Sequence, residues 1–358
     1  MRVVLRLIFC LISAICGVGL SVSYAANWGL FATDAPKAWE VSKGDAEVVV
    51  AIIDTGIDLQ HPALQDNVWV NPGEIAGNGI DDDHNGFVDD VHGWNFADNN
   101  NDISDVHGHG THVAGIIAAR FDGKIGGIAP RVKIIPIKYY SESASGEANL
   151  AATVKAIRYA VKMGAKIINY SAGGAQYSKP EFEAIKEAEQ KGILFVAAAG
   201  NEGANAEEEK FYPAAYPLNN IIAVASLDMK GELLRSSNYG KNTVAVAAPG
   251  GKIQSTLPKG RFGYLSGTSQ AAPFVTGTAA LILSVAPELK PEEVKQIVIS
   301  QVKPLAQLKD KVKAEGVINA LQAVSRASTI QFDILKTFYA DSFKQAPPVK
   351  HSFEFLTF

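Results

Sequence analysis

The chain has 358 residues, of which 47% are hydrophobic and 20% charged, and its formal net charge is −4. This composition is typical of a globular protein with one large domain or two ordinary ones. No run of Lys or Arg is longer than a pair, so a nucleic-acid partner is not expected.

The first 25 residues have the features of a secretory signal peptide. Two arginines precede an apolar stretch from residue 7 to residue 22, and Ser23 and Ala25 are small residues at the positions that define cleavage. We expect cleavage after Ala25 and export to the periplasm or the extracellular space. The apolar stretch is shorter than the roughly 18 residues of a membrane span, and an uncleaved anchor is the alternative.

Both cysteines, Cys10 and Cys16, lie within this predicted signal. A lipid anchor on Cys16 is disfavoured because Ile15 occupies a position where a lipoprotein signal normally has a small residue. The mature chain would contain no cysteine, so it could neither form a disulfide nor use a cysteine nucleophile. Extra stability would have to come from packing or from a bound metal.

Between residues 45 and 250, short apolar runs alternate with segments of helical periodicity. This alternation predicts an α/β fold in which parallel strands are joined by crossover helices. Most runs are apolar on both faces, as strands covered on two sides must be. The predicted strands are VVVAIID, VKIIPIK, AKIINYS, ILFVAAAG, IIAVASL and TVAVAAPG.

The helical segments are predicted from apolar spacing and from glycine at their ends. ANLAATVKAIRYAVKMG and KPEFEAIKEAEQKG follow this pattern, and SQAAPFVTGTAALILSVAP is apolar nearly all round, which predicts a buried central helix. Two shorter helices, KPEEVKQIVIS and AEGVINALQAVS, would close the fold near Ser328. We expect residues 328–358 to form a C-terminal extension on the domain surface, with an inhibitory or targeting segment as the alternative.

Three histidines, His107, His109 and His112, stand within six residues in the segment DVHGHGTHVAG. Their spacing is similar to a zinc half-site of metallo-β-lactamase-like hydrolases, and imidazole is a common zinc ligand. That half-site has Asp where this chain has Thr111, and only His351 follows His112. A histidine that transfers protons is therefore the better interpretation.

Polar residues follow several predicted strands. Asp54 ends VVVAIID at the edge where open α/β sheets bind ligands, although such a residue can also cap a helix. The central helix is predicted to begin close to Ser269, where free N–H groups can stabilise an oxyanion, and an N-cap role is the alternative. Asn201 follows LFVAAAG and could donate to the same oxyanion or form a turn. NYSAGG ends in small residues that leave room for a substrate backbone.

In the order DTGID, HGHGTHVAG, NYSAGG, AAAGNEG and GTSQAAP, these motifs resemble those of the subtilisin-like serine proteases, or subtilases, of peptidase family S8. The resemblance covers roughly residues 27 to 325 and includes YPAAYPLNNIIAVASLD, SNYG and AAPGGKIQST. It implies a three-layer subtilisin-like fold with a mainly parallel central sheet, in a catalytic domain that we place at residues 26–327. It also implies a secreted serine endopeptidase that acts through an acyl-enzyme.

The resemblance implies that Ser269 is the nucleophile, His109 the general base and acid, and Asp54 the carboxylate that orients the imidazole. Asn201 and the backbone N–H of Ser269 would form the oxyanion hole. His112, one turn after His109, would be a buried structural residue. The cleft walls would comprise Ser171, Ala172 and Gly173, which pair with the peptide, and Ala198, Ala199 and Gly200, which line the first specificity pocket.

Such pockets in this family usually accept broad, often apolar side chains. Phe211 and the acidic residues 207–209 follow Asn201 in a loop. This loop would either narrow or charge the pocket, or it would be a solvated loop without contact to the substrate.

Two features depart from the family pattern. Gln270 follows the nucleophile where Met is usual, which predicts resistance to peroxide. Only ANWGLFATDAPKAWEVSKG separates the signal from the first strand, so we expect the chain to fold unaided or with help from the tail or another protein.

The segment NPGEIAGNGIDDDHNGFVDDVHGWNF predicts a structural calcium loop. Asp81, Asp83 and Asn85 stand at alternate positions before a glycine, and the backbone carbonyl of Phe87 and the carboxylate of Asp89 could complete the ligand set. The twelfth position is His92, so the loop is not an EF-hand. A solvated acidic turn is the alternative.

Two other functions stay open at this stage. A catalytically degenerate subtilase could act as a binding module, and an esterase or peptide ligase could use the same acyl-enzyme chemistry. We expect protein or peptide substrates, no nucleic acid, no stable membrane association after signal cleavage, and a monomer.

Overall fold

The computed structural model describes residues 28–121 and 125–345. The predicted signal peptide and the last residues of the tail lie outside this range. Two short helices, α1 (Trp28–Ala32) and α2 (Ala35–Ala38), precede the first strand. Trp28, Leu30, Ala35 and Ala38 are buried in the larger of two hydrophobic cores, called the main core below, so the short segment before the first strand is an integral part of the domain.

A nine-stranded sheet forms the centre of the described chain, with a separate two-stranded hairpin. The strands are β1 (Val49–Asp54), β2 (Trp94–Asn95), β3 (Lys133–Lys138), β4 (Ile167–Tyr170), β5 (Leu194–Ala198), β6 (Ile221–Leu227), β7 (Val246–Pro249), β8 (Ile253–Leu257), β9 (Arg261–Leu265), β10 (Val302–Pro304) and β11 (Gly316–Ile318). The order in the sheet is β10-β11-β7-β6-β5-β4-β1-β3-β2. All neighbouring strands of this sheet pair in parallel except β10 and β11, and β8 and β9 form the antiparallel hairpin.

The longer helices cover both faces of this sheet. They are α3 (His109–Ala118), α4 (Gly146–Lys162), α5 (Lys179–Gln190), α6 (Thr268–Val285), α7 (Pro291–Ser300) and α8 (Ala320–Gln345), with 3-10 turns at Gln65–Asn67 and Ala306–Leu308. None of the helices in the described range has the length and apolar character needed to cross a bilayer.

Two hydrophobic cores lie on the two faces of the sheet, the main core on the side of α3 and α6 and the second core on the side of α4 and α5. The side chains of β1 alternate between them. Val50 and Ile52 pack on the side of α3 and α6, whereas Ala51 and Ile53 pack on the side of α4 and α5. Successive strand residues point to opposite faces, so one strand contributes to both cores. The three-layer, mainly parallel α/β fold is confirmed, and each of the six predicted strands is present.

The last predicted helix begins later and ends later than expected. Asn319 accepts a hydrogen bond from the Gln322 backbone N–H at 2.9 Å, which is the N-cap arrangement that starts a helix. The residues before it form β11, where Val317 pairs with Ala247. Helix α8 then continues to Gln345, so the expected boundary at residues 327/328 falls inside a helix and stays a prediction.

A buried carboxyl group lies in the first turn of α5. Glu181 is 3% exposed, and Tyr216 donates a hydrogen bond to its Oε2 at 2.7 Å. The Ser178 side chain caps the helix by accepting from the Glu181 backbone N–H. Burial raises the pKa of Glu181 to about 6, against the opposing effect of the Tyr216 hydrogen bond.

Candidate active site

The carboxyl ends of β5, β4 and β1 lie side by side at one edge of the sheet. Asp54 is the last residue of β1, Ser171 follows β4, and Asn201 follows β5 by three residues. Because these strands are parallel, residues far apart in the sequence meet at this edge.

His109 is the first residue of α3 and contacts the carboxylate at the end of β1. Its Nδ1 lies 2.7 Å from Asp54 Oδ1, and Asp54 is 4% exposed. Burial by itself would lower the pKa of His109, but the charge and hydrogen bond of Asp54 outweigh it, so the pKa is raised. A Cβ on Gly110 would lie 2.2 Å from the Gly56 carbonyl oxygen, so this glycine allows the helix to approach the strand.

Asp105 braces the start of α3 and was missed by the sequence reasoning. This buried carboxylate accepts hydrogen bonds from the backbone N–H groups of His107, Gly108 and Thr111. It also accepts from the hydroxyls of Thr55 and Thr111. The spacing Asp-x-x-Gly before the helix is the local signal that could have identified it, since Asp often accepts from nearby backbone donors.

Ser269 is the second residue of α6. Its Oγ donates to the Ser171 carbonyl oxygen at 2.8 Å, and the Ser171 Oγ donates to the Ser269 carbonyl at 3.0 Å. Asn169 donates to the Ser171 hydroxyl and accepts from Thr276 Oγ1 at 2.7 Å. This chain of hydrogen bonds fixes the start of α6 against the end of β4.

Asn201 lies against the residues that precede Ser269. Its Oδ1 accepts from the backbone N–H of Thr268 at 2.9 Å and from the Thr268 hydroxyl at 3.2 Å. Because the amide oxygen is engaged, the Nδ2 group is the part of this side chain that can donate to a ligand. The site therefore combines a carboxylate–imidazole pair, a hydroxyl at a helix start and an amide donor.

The model of the subtilase family matches residues 45–322 of the chain. The chain belongs to the subtilase family. It is 40% identical over 260 residues to the major intracellular serine protease of Bacillus subtilis, covering 72% of the chain and 74% of that protein. It is 38% identical to thermitase of Thermoactinomyces vulgaris, with coverages of 70% and 79%.

The chain is also 35% identical over 323 residues to subtilisin-like protease 1 of Plasmodium berghei, covering 84% of the chain but only 54% of that relative. Among solved structures, a lanthipeptide protease matches with a TM-score of 0.68 and 27% identity, over 83% of this chain and 93% of that one. The prenylagaramide maturation protease PagA matches with a TM-score of 0.64 and 28% identity, over 82% and 98%. These relatives support a serine-type peptidase, and the family prediction is confirmed.

The expected cleft walls of this subtilase lie on both sides of the start of α6. Ser171, Ala172 and Gly173 continue from β4, and Ala199 and Gly200 continue from Ala198 at the end of β5. Gly200 contacts the Thr268 hydroxyl through both its N–H and its carbonyl, at 3.3 Å each. The two walls therefore both contact the residues around Ser269.

The other two histidines differ from His109 in environment. His112 is fully buried, and its Nε2 contacts the Ile253 carbonyl oxygen at 3.0 Å. Burial lowers its pKa to about 4, so it is neutral and structural. His107 is 45% exposed, with its Nε2 3.9 Å from Glu142. Across the described residues, the group of side chains close enough to hold a metal contains none of these histidines.

That group lies in the acidic loop and comprises Glu74, Asp83 and Asp90, whose oxygens lie within 4.8 Å of one another. Burial raises the pKa of Asp90, although Tyr159 donates to it at 2.6 Å. Glu74 Oε2 is buried and has no hydrogen-bond partner within the described structure. Three close carboxylates with one unpartnered oxygen fit a hard cation such as calcium.

The other predicted ligands are not members of this group, although Asn85 contacts two of its carboxylates. Asp81 accepts from the backbone of Asn85 and Gly86, and Asp89 accepts from the backbone of residues 77–79. Asn85 donates through Nδ2 to Asp83 and Asp90, and the ring of Phe87 packs on Trp94. The structure thus groups Asp83 with Glu74 and Asp90, neither of which is among the predicted ligands.

Proposed function

We propose that this subtilase is a serine endopeptidase in which Ser269 attacks the peptide carbonyl and His109 and Asp54 move and stabilise the proton. The observation that carries the proposal is the 2.7 Å contact between His109 Nδ1 and Asp54 Oδ1, at the same sheet edge as Ser269 and Asn201. Because the carboxylate holds Nδ1, the Nε2 atom is the one available to the nucleophile.

The reaction begins when the Ser269 hydroxyl leaves the Ser171 carbonyl and turns to the imidazole of His109. The Oγ–carbon bond forms as the proton passes to Nε2, and the substrate oxygen gains the negative charge. Asn201 Nδ2 and the Ser269 backbone N–H would stabilise this oxyanion. The imidazolium then gives its proton to the leaving amine, and water hydrolyses the acyl-enzyme by the same route in reverse.

The test compares Ser269→Ala with Ser266→Ala, a matched change of an exposed serine three positions earlier. Ser269→Ala should abolish both casein hydrolysis and labelling by a fluorophosphonate, whereas Ser266→Ala should retain both. Labelling or hydrolysis by Ser269→Ala would refute the nucleophile. A wild-type protein that folds but neither labels nor hydrolyses would instead be a degenerate binding module.

We also propose that Glu74, Asp83 and Asp90 hold a structural calcium ion. Support comes from the proximity of their oxygens and from the unpartnered Glu74 Oε2. The bound ion would neutralise carboxylates that otherwise repel one another, and calcium at 100 times its Kd would stabilise the fold by about 2.7 kcal/mol.

Thermal unfolding with calcium or with chelator tests this site. Calcium should raise the Tm of the wild-type protein by about 5 °C, and Asp83→Asn should lose most of this increase. Asp89→Asn, in the same loop but outside the group, should keep it. An unchanged Tm after chelation, or equal losses in the two variants, would contradict the site.

We further propose export, with cleavage after Ala25. The supporting observations are the charged and apolar pattern of residues 1–25 and the confinement of both cysteines to that segment. Mass spectrometry of protein recovered outside the cytoplasm should find Ala26 as the first residue. A chain that retains Met1 and stays in the cytoplasm would contradict export.

A further inference from the structure

A gap between two strand ends lies next to the proposed nucleophile. The end of β4 is fixed to Ser269 by the bond from Ser269 Oγ to the Ser171 carbonyl. The segment after β5 is fixed to Thr268, the residue before Ser269, by the two contacts between Gly200 and the Thr268 hydroxyl. A peptide that acylates Ser269 while pairing along the β4 wall would place the side chain before the scissile bond between these two walls.

The ring of Phe211 lies in this gap. A Cβ built on Gly173 would lie 2.5 Å from Phe211 Cε1 and 3.0 Å from Cζ, and a Cβ on Gly200 would lie 2.9 Å from Cδ2. One aromatic ring is therefore in close contact with a glycine of each wall. The absence of side chains at these two glycines is what makes room for the ring.

The backbone around Phe211 is held in place. Tyr212 and Gly174 exchange two hydrogen bonds of 2.8 Å each, and the Phe211 carbonyl accepts from the Ala215 N–H at 2.9 Å. Phe211 is partly buried against the second core. The backbone that carries the ring is thus held against the β4 wall.

A charged side chain, that of Glu202, also lies beside Gly200. Glu202 Oε2 would lie 2.6 Å from a Cβ on Gly200, but it accepts a 2.7 Å hydrogen bond from Asn238 Nδ2. Asn238 Oδ1 in turn accepts from the Glu202 backbone N–H. One oxygen of this carboxylate is therefore held by Asn238.

We propose that Phe211 forms the floor of the first specificity pocket and limits the residue before the scissile bond to small side chains such as Gly, Ala or Ser. This inference rests on the proposed function, since it assumes that Ser269 is acylated. It replaces the broad apolar pocket expected from the family resemblance with a shallow one.

The test uses peptides that differ only in the residue before the scissile bond, with Ala, Leu, Phe or Lys at that position. Wild-type kcat/KM should be at least about tenfold higher for Ala than for Phe, since apolar pockets discriminate by about 10- to 200-fold for a methylene. Phe211→Ala should raise kcat/KM for the Phe peptide by about 10- to 100-fold relative to the Ala peptide. Phe332→Ala, an exposed aromatic of α8, should leave the order unchanged.

Rates are normalised to the fraction of protein labelled by a fluorophosphonate, which separates this inference from the proposed function. A protein that neither labels nor cleaves any peptide refutes the proposed function. A labelled wild-type protein that prefers Phe, Leu or Lys refutes the role of Phe211, as does a labelled Phe211→Ala variant with an unchanged order. If Phe211→Ala fails to fold, Phe211→Leu should show a smaller shift in the same direction.

Discussion

Replacing Glu181 with Gln should make the protein more stable at neutral pH. The pKa of this buried carboxyl is raised from 4.5 to about 6, so the folded state binds more protons than the unfolded state between these values. Stability should therefore fall as pH rises from about 4.5 to 6 and stay level above this range. At about 1.4 kcal/mol per pH unit, the loss is about 2 kcal/mol.

Glu181→Gln removes this loss, because a neutral amide can still accept from Tyr216. Loss of a negative charge from the first turn of α5 should cost about 0.5 kcal/mol, which leaves a net gain of about 1 to 2 kcal/mol at pH 7. Below pH 4.5, where the carboxyl is protonated in both states, the gain should disappear. The difference in unfolding free energy between the variant and its parent thus has a defined dependence on pH.

Urea unfolding from pH 4 to pH 8 measures this difference, and a Ser269→Ala background prevents self-digestion. Glu187→Gln on the same helix is a control of opposite sign, because the Arg158 hydrogen bond lowers the pKa of Glu187. That variant should lose stability at neutral pH, and its difference from the parent should shrink in acid. A difference for Glu181→Gln that is constant with pH, or a net loss at pH 7, would refute the reasoning.

Three further predictions concern the site. Activity should be lost as pH falls through the raised pKa of His109, so the midpoint of the profile of kcat/KM against pH should lie above 6.5. An unchanged plateau down to pH 4 would exclude His109 as the base. Asp105→Asn places an NH2 group against backbone N–H groups at the start of α3, so it should lower the free energy of urea unfolding by about 2 to 4 kcal/mol. The same change at the exposed Asp102 should lower it by less than about 1 kcal/mol. Equal losses would contradict the bracing role of Asp105. Gln270 should make activity resistant to dilute peroxide, measured by residual hydrolysis. Rapid inactivation while Met163 and Met229 are unoxidised would contradict this.

The periodicity of apolar residues predicted the sheet because each of its central strands is buried on both faces and has a continuous apolar run. The hairpin β8–β9 and the short strand β11, which lies between β10 and β7, have no such run. Strand β11 is defined by a pairing partner distant in the sequence, as Val317 with Ala247 shows. Local sequence patterns contain no information about such pairing.

The same distinction holds for the site. Asp54, His109 and Asn201 follow or begin regular elements, so their placement at one edge was predictable from the order of strands and helices. The grouping of Glu74 with Asp83 depends on the three-dimensional course of an irregular loop, where alternate spacing suggested other ligands. The position of the Phe211 ring between two glycines likewise results from the pairing of Tyr212 with Gly174.

The distribution of the site along the chain has a consequence for the order of folding. A chain made as far as Asn201 would already contain the imidazole of His109, its carboxylate partner and the amide of Asn201, but not the proposed nucleophile. Ser269 is synthesised later, as part of α6, and most residues of this helix are buried in the main core. Domains dominated by contacts between residues distant in the sequence fold slowly. Proteolytic competence should therefore begin only when the central helix has docked, so that an incomplete chain cannot digest its neighbours.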